Sequence, residues 1–209
     1  MKLREPATFW TDCALAVWSA FLAAALTHGA PSPCPAGLTW WIAAFATCAL
    51  AAAAGAVHHG LGHELPPAAN RASWRLALLA LVGTGLCLMQ VAARLAVAAT
   101  ALTAAQLGAW LVTALFAAAA LRREKFSVAI RAYGLGQLLV LAAAVAARHS
   151  HPPAHLAWID AGVATSALAA AIQHFRLSPH PRFNHNDLYH VVQAAAQGCF
   201  YFGAASEGV

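Results

Sequence analysis

The sequence predicts an all-α integral membrane protein, a bundle of seven transmembrane helices in a single domain over residues 1–209. Hydrophobic residues make up 61% of the 209 residues and charged residues only 9%, whereas about 25% of an ordinary soluble domain is charged. This composition argues against a soluble domain, a disordered chain and a nucleic-acid-binding protein, because so little charge cannot cover a soluble surface. The apolar runs are continuous and rich in Ala and Leu, which favours helices over the alternating strands of a membrane β-barrel.

Seven apolar segments result when the chain is divided at charges, prolines and histidine clusters. They cover residues 8–26, 37–57, 76–93, 95–121, 128–147, 156–173 and 188–205. Most reach the ~20 residues that cross a bilayer. The fifth and sixth are the weakest, because Ala contributes little to insertion and Arg131 and Asp160 interrupt them. An alternative for the first is a cleaved signal peptide, although Glu5 and Asp12 fit such a peptide poorly.

The Lys and Arg residues lie almost entirely in alternate connections between these segments. The connections before the first, third, fifth and seventh segments hold Lys2, Arg4, Arg71, Arg75, Arg122, Arg123, Lys125, Arg176 and Arg182, with Arg131 just beyond. The other connections hold only Arg94 and Arg148. The positive-inside rule therefore predicts a cytoplasmic N-terminus and an outward C-terminus. We expect the inner membrane of a bacterium, with the lipid bilayer as partner. No pattern in the sequence indicates an oligomeric state.

Three polar clusters fall at the predicted cytoplasmic ends of the segments. They are Glu5, Thr11 and Asp12 in the first, His58, His59 and His63 after the second, and His185, Asn186, Asp187 and His190 at the start of the seventh. Ionisable residues at membrane depth are costly and by default indicate function. Because these clusters come from distant parts of the chain to one depth, we expect them to meet.

The seventh segment carries a polar stripe. Asn186, His190, Gln193, Gln197 and Tyr201 follow one another at spacings of four, three, four and four, so they share one face of a helix. That face should look into the bundle, where Asn186, Gln193, Gln197 and Tyr201 are candidate substrate-binding residues. The alternative is that the stripe forms only hydrogen bonds between helices.

The histidines of the second segment are candidate metal ligands. His59 and His63 are four residues apart, a spacing that occurs in metal sites, although Gly60 and Gly62 weaken a helix there. His59 is the preferred ligand of the three, and the alternative is a histidine cluster in contact with water. His149, His151 and His155, beside two prolines, are interpreted as solvated loop residues.

The chain resembles the CREST superfamily of membrane hydrolases and receptors, which includes alkaline ceramidases and progestin and adipoQ receptors. The shared features are seven spans, a histidine at the cytoplasmic end of span two and a histidine motif that opens span seven. The segments from Glu5 to Asp12 and from Phe183 to Gln193 also resemble a family of uncharacterised bacterial membrane proteins.

In the superfamily, zinc is held by one His of span two and by a His-x-x-x-His pair of span seven. The resemblance implies that His59 and His190 are zinc ligands, with Asp187 or His185 as the third. This chain departs from the pattern at Asn186, which replaces the first His of the pair, and at Gly55, which replaces a Ser four residues before His59. Its third span also has no Asp.

These observations lead to one expected function and two alternatives. The expected function is zinc-dependent hydrolysis of a lipid amide or ester at the cytoplasmic side, with Asp12 or Asp187 as the general base. The first alternative is a non-enzymatic membrane protein that binds a metal or a lipid headgroup. The second is a small transporter that uses the polar stripe of the seventh segment.

Overall fold

The computed structural model describes residues 3–148 and 153–206, with side chains from residue 155 onwards in the second range. Within these ranges the chain forms seven α-helices and no strand longer than an isolated bridge. The helices are α1 (Pro6–Gly29), α2 (Ala36–Ala56), α3 (Pro67–Ala96), α4 (Ala99–Arg123), α5 (Phe126–Ala147), α6 (Pro153–Phe175) and α7 (His185–Ser206). The all-α class and the seven helical segments are confirmed. The third predicted segment starts nine residues after the observed start of α3. The fourth predicted segment starts inside α3.

Six of the helices, α1 to α6, are long and apolar enough to cross a membrane. α7 is less apolar because it carries Asn186, Asp187, His190, Gln193 and Gln197. Seven crossings and the sidedness of the termini therefore stay predictions.

Local chemistry explains where several helices begin and end. Pro6 and Pro67 occupy first-turn positions of α1 and α3, where the missing N–H costs nothing. α2 continues into one π-helical turn, Val57–Leu61, which carries His58 and His59. Wider turns of this kind are often found at functional sites.

α3 is the central helix of the bundle and packs against α2, α4 and α5. Its closest crossing is with α5, where a side-chain carbon at Gly136 would lie 2.7 Å from the carbonyl oxygen of Gly85. Small residues allow such close approach, which is how helices associate in lipid.

One end of the bundle, which we call the site end, contains the starts of α1, α3, α5 and α7 and the ends of α2, α4 and α6. Contacts between distant residues join these termini: Glu124 binds Arg71 and Arg75, and Gln173 binds Asn186. Nine described Lys and Arg residues lie at or near this end: Arg4, Arg71, Arg75, Arg122, Arg123, Lys125, Arg131, Arg176 and Arg182. Of the described Lys and Arg residues, only Arg94 and Arg148 lie towards the other end.

The opposite end corrects one sequence-based interpretation. His155 is a buried residue of α6 rather than a solvated loop residue, and its Nδ1 lies 2.6 Å from the carbonyl oxygen of Gly203. His149 and His151 lie outside the described residues. Arg148 Nη2 lies 2.6 Å from Asp160 Oδ2. Asp160, the acidic residue of α6, therefore has an ionic partner.

Candidate ligand-binding cavity

A cavity of about 160 Å³ opens within the bundle near the site end. Its polar lining includes Asp12, His59, Gln173, Asn186, His190 and Gln193, which come from α1, the π-helical turn, α6 and α7. The rest of the wall is largely apolar, with Leu78 and Leu81 of α3 among its residues. The polar clusters of the sequence therefore do meet, around a space walled mainly by hydrophobic side chains.

Asp12 and His190 form the centre of this site. Asp12 Oδ1 lies 3.2 Å from His190 Nε2, and the Asp12 residue is only 4% exposed. The expectation that the cluster of Glu5, Thr11 and Asp12 meets the histidine clusters is confirmed for Asp12 and His190. Gly55 of α2 makes room for the carboxylate, because a side-chain carbon there would lie 3.2 Å from Asp12 Oδ2.

Thr11 completes a short proton relay with this pair. Its Oγ1 lies 3.1 Å from the Thr8 carbonyl oxygen and 3.0 Å from His190 Nδ1, but its hydroxyl has one proton to donate. If the Thr11 hydroxyl donates to the Thr8 carbonyl oxygen, His190 Nδ1 carries a proton and donates it to Thr11 Oγ1. His190 Nε2 and Asp12 then share one further proton. If the hydroxyl donates to Nδ1, His190 donates from Nε2 to the Asp12 carboxylate. The arrangement can therefore exchange a proton between two buried groups, as general acid–base chemistry requires.

His59 reaches the cavity from the π-helical turn and has its own acidic partner. Its Nδ1 lies 3.3 Å from Glu5 Oε2. His58 turns towards α3 instead, where its Nδ1 lies 2.7 Å from Asn70 Oδ1 and its ring stacks on Trp74. The structure thus places His59, rather than His58, at the cavity.

Asp187 is engaged in the start of α7. Its Oδ2 accepts a hydrogen bond of 2.6 Å from the Asn184 N–H, while Asn184 Oδ1 accepts one of 2.7 Å from the Asn186 N–H. This reciprocal pattern is a capping box, which satisfies N–H groups that a helix start leaves unpaired. Asp187 Oδ1 accepts a further hydrogen bond of 2.8 Å from Thr8, which ties α7 to α1. Neither Asp187 nor His185 is among the residues that line the cavity.

The rest of the α7 stripe runs inward from the cavity. Gln193 Nε2 donates to Tyr133 Oη at 2.7 Å and lies 3.3 Å from Ser166 Oγ, while Gln197 Nε2 contacts Cys48 Sγ at 2.9 Å. Gln193 and Asn186 line the cavity, whereas Gln197 lies below it and Tyr201 one turn further on. The stripe therefore faces the bundle interior. Its first part, with Asn186 and Gln193, borders the cavity, whereas Gln197 contacts Cys48 below it.

Three buried oxygen atoms of the cavity-lining residues have no hydrogen-bond partner. They are Asp12 Oδ2, Gln173 Oε1 and Gln193 Oε1. An unpaired buried polar atom costs about 1–3 kcal/mol, and more when it is charged. Native proteins rarely leave such atoms unpaired, and a donor bound in the cavity is one way to satisfy these three.

The structure does not bring the predicted zinc ligands together in the predicted way. Across the described ranges, no three His, Cys, Asp or Glu side chains are grouped so that they could hold a metal ion. Asp12 occupies the place beside His190 that the sequence analysis gave to Asp187 or His185. Zinc binding at His59 and His190 stays a prediction.

Sequence reasoning missed several residues of the site. Gln173, Tyr133 and Trp74 line the cavity but were not singled out. Gln173 had a usable signal, since it is a polar residue at the site end of an apolar segment. Trp74 and Tyr133 had none, because an aromatic residue within an apolar helix is common and only packing decides where it faces.

The fold and the cavity define the class of this protein as an α-helical bundle of membrane-compatible composition with a buried polar site. The chain belongs to a family of unknown function, DUF6962, whose model matches residues 7–208. This agrees with the expectation of an uncharacterised family. No curated protein and no solved structure matches the chain.

Proposed function

We propose that the chain is an integral membrane protein of seven crossings that binds a small amphipathic ligand in the cavity around Asp12 and His190. The carrying observation is that three unpaired buried oxygens, Asp12 Oδ2, Gln173 Oε1 and Gln193 Oε1, belong to residues that line one apolar-walled cavity. The polar part of the ligand would supply the missing donors, and its apolar part would lie against Leu78 and Leu81. Sites of this composition are typical of small-molecule binding.

The outer surface supports the membrane part of the proposal. Large apolar side chains stand exposed on α1 and α4, among them Trp10, Phe21, Leu107, Trp110 and Leu115. Many large exposed apolar side chains of this kind are unfavourable in water and suit contact with lipid. The basic residues at the site end favour a cytoplasmic position for the cavity.

Ligand binding can be tested by thermal unfolding of the purified protein in detergent. A ligand that binds only the folded state raises the midpoint temperature. We expect at least one of decylamine, decanol and decanoate to raise the midpoint of the wild type. The effect should be reduced in Ala77→Leu, which adds side-chain volume at a residue that lines the cavity.

Ala114→Leu is the matched control, because Ala114 is an exposed residue of α4 and the substitution is the same. It should respond to the amphiphiles as the wild type does. The proposal is wrong if no amphiphile shifts the wild type, or if Ala77→Leu responds as strongly as Ala114→Leu.

A zinc-dependent lipid amide or ester hydrolase is a second candidate, supported by one distance. Two donors on a tetrahedral zinc lie roughly 3.3 Å apart, given Zn–donor distances of about 2.0–2.1 Å. The 3.2 Å between Asp12 Oδ1 and His190 Nε2 fits that separation. Zinc analysis of the wild type and His190→Ala tests this candidate: zinc bound in the wild type should be lost in the variant, and equal content would refute it.

Transport along the polar stripe of α7 is not part of the proposed function. Below the cavity, Gln197 is packed with Trp41 and Phe200 around a space of only about 20 Å³. Trp41 and Phe200 are both buried, with ring centroids 5.5 Å apart. The polar stripe of α7 is therefore closed by aromatic side chains beyond Gln197.

A further inference from the structure

We propose that the ligand of the cavity is an amphipathic primary amine, bound as its ammonium form against Asp12. This inference rests on the proposed function, namely that the cavity binds a ligand, and it adds the chemical class of that ligand. It depends on three properties of the lining: its unpaired atoms, its charge and its aromatic wall.

The unpaired atoms of the lining are all hydrogen-bond acceptors. Asp12 Oδ2, Gln173 Oε1 and Gln193 Oε1 need donors, while the amide nitrogens of the two glutamines already donate to Asn186 and Tyr133. An ammonium group has three N–H donors and no acceptor. A hydroxyl or carboxylate headgroup would instead add acceptor atoms to a site that already has too many.

The charge of the lining selects for a cation. Asp12 is its carboxylate, and no Lys or Arg is among the residues that line the cavity. When His190, 3.2 Å from Asp12, is neutral and donates from Nε2, the pair keeps a net negative charge. His59 lies 3.3 Å from the Glu5 carboxylate and so adds no net positive charge. The nearby basic side chains of Arg71 and Arg75 are bound to Glu124. An anionic headgroup would place a second negative charge beside Asp12, whereas an ammonium group would form a charge-assisted hydrogen bond with it.

Aromatic rings line the cavity on the side of α3, α5 and α7. Trp74 and Phe126 have ring centroids 6.5 Å apart, and Phe126 and Tyr189 have centroids 6.3 Å apart. The indole N–H of Trp74 donates to the Glu124 carbonyl oxygen at 2.9 Å, which fixes the orientation of the ring. Faces of aromatic rings attract cations, and the attraction is stronger where water is excluded. The aromatic part of the lining is therefore compatible with the same headgroup.

The test compares three probes with the same chain and different headgroups. Decylamine, decanol and decanoate are titrated below their micellar concentrations into purified wild type, and dissociation constants are measured by calorimetry. We expect decylamine to bind about tenfold more tightly than decanol, and decanoate to bind most weakly. In Asp12→Asn the preference for decylamine over decanol should fall to about threefold or less.

Phe126→Leu provides a second variant in case Asp12→Asn fails to fold. It keeps an apolar side chain but removes the ring, so decylamine should bind about threefold more weakly while decanol changes little. Equal binding of decylamine and decanol to the wild type would refute the amine while leaving ligand binding intact. No binding of any probe would refute both proposals.

Metal analysis of the same preparations separates an amine from a metal cation. A stoichiometric amount of zinc in the wild type that is absent from Asp12→Asn would show that a metal ion satisfies these oxygens, and would overturn the amine proposal. Preparations free of zinc that bind decylamine with the expected preference would support it.

Discussion

Gly55 lies directly against the carboxylate of Asp12: a side-chain carbon at position 55 would be 3.2 Å from Oδ2 and 3.3 Å from Oδ1. The absence of a side chain in α2 therefore creates the place that a charged side chain of α1 occupies.

Gly55→Ala should weaken the site more than it weakens the fold. The new methyl group forces the Asp12 carboxylate to move by a few tenths of an ångström, at a cost of about 1 kcal/mol of unfolding free energy. The shift should weaken binding of decylamine to the cavity, measured by calorimetry. Gly83→Ala in α3 is the control, since its side-chain carbon would lie 3.7 Å from Thr47, an ordinary contact. Equal behaviour of the two variants would contradict the arrangement.

Gly136→Ala should destabilise the crossing of α3 and α5. Its side-chain carbon would lie 2.7 Å from Gly85 O and 2.9 Å from Leu88 Cβ, so the helices must separate. We expect a loss of about 1–3 kcal/mol, seen as a lower unfolding midpoint in detergent. Gly134→Ala, two residues earlier on the same helix, meets nothing within 4 Å and should leave the midpoint unchanged or raise it slightly. A larger loss in Gly134→Ala would disprove this crossing.

Glu124 should make stability depend on acid pH. The pKa of its carboxyl lies below the usual 4.5, chiefly because it accepts a hydrogen bond from Arg71 and also one from Arg75. The folded state therefore binds the proton less readily than the unfolded chain does. The stabilisation is complete above about pH 4.5 and is lost as the pH falls through the folded-state value. Unfolding midpoints of wild type and Glu124→Gln should differ near neutral pH and converge as the pH falls below the folded-state pKa of Glu124; a constant difference would contradict this.

If α7 crosses the membrane as we propose, its two ends lie on opposite faces. A reporter fused after Lys125, at the site end, should indicate the cytoplasm, and one fused after Val209 should indicate the other side. This follows from the basic residues at the site end. If both reporters indicate the cytoplasm, α7 does not cross as proposed.

Helix positions were predictable from the sequence because each apolar segment is bounded by charges or prolines. The meeting of Asp12 with the histidines was also predictable, since all lie at one depth and a buried charge needs a partner. The predicted start of α3 is too late because Arg71 and Arg75 mark a break there, whereas both are residues of α3. The predicted start of α4 is too early because Arg94 marks a break, whereas α3 continues through Arg94 to Ala96.

The identity of the carboxylate beside His190 could not be predicted. Asp187 is one turn from His190 and is the closer choice on the helix, but its Oδ2 accepts from the Asn184 N–H and its Oδ1 accepts from Thr8. Asp12 takes its place because α1 packs against α7, and the rotation of one helix against another depends on the whole interface. The three unpaired oxygens were equally hidden, because hydrogen-bond satisfaction is a property of packed side chains.

An experimental density map of the protein purified from its membrane tests the central claim most directly. The account predicts non-protein density at about hydrogen-bond distance, roughly 2.7–3.2 Å, from Asp12 Oδ2, extending along Leu78 and Leu81, with Asp12 in contact with His190. A cavity closed by protein side chains, or Asp12 turned away from His190 towards lipid, would contradict the account.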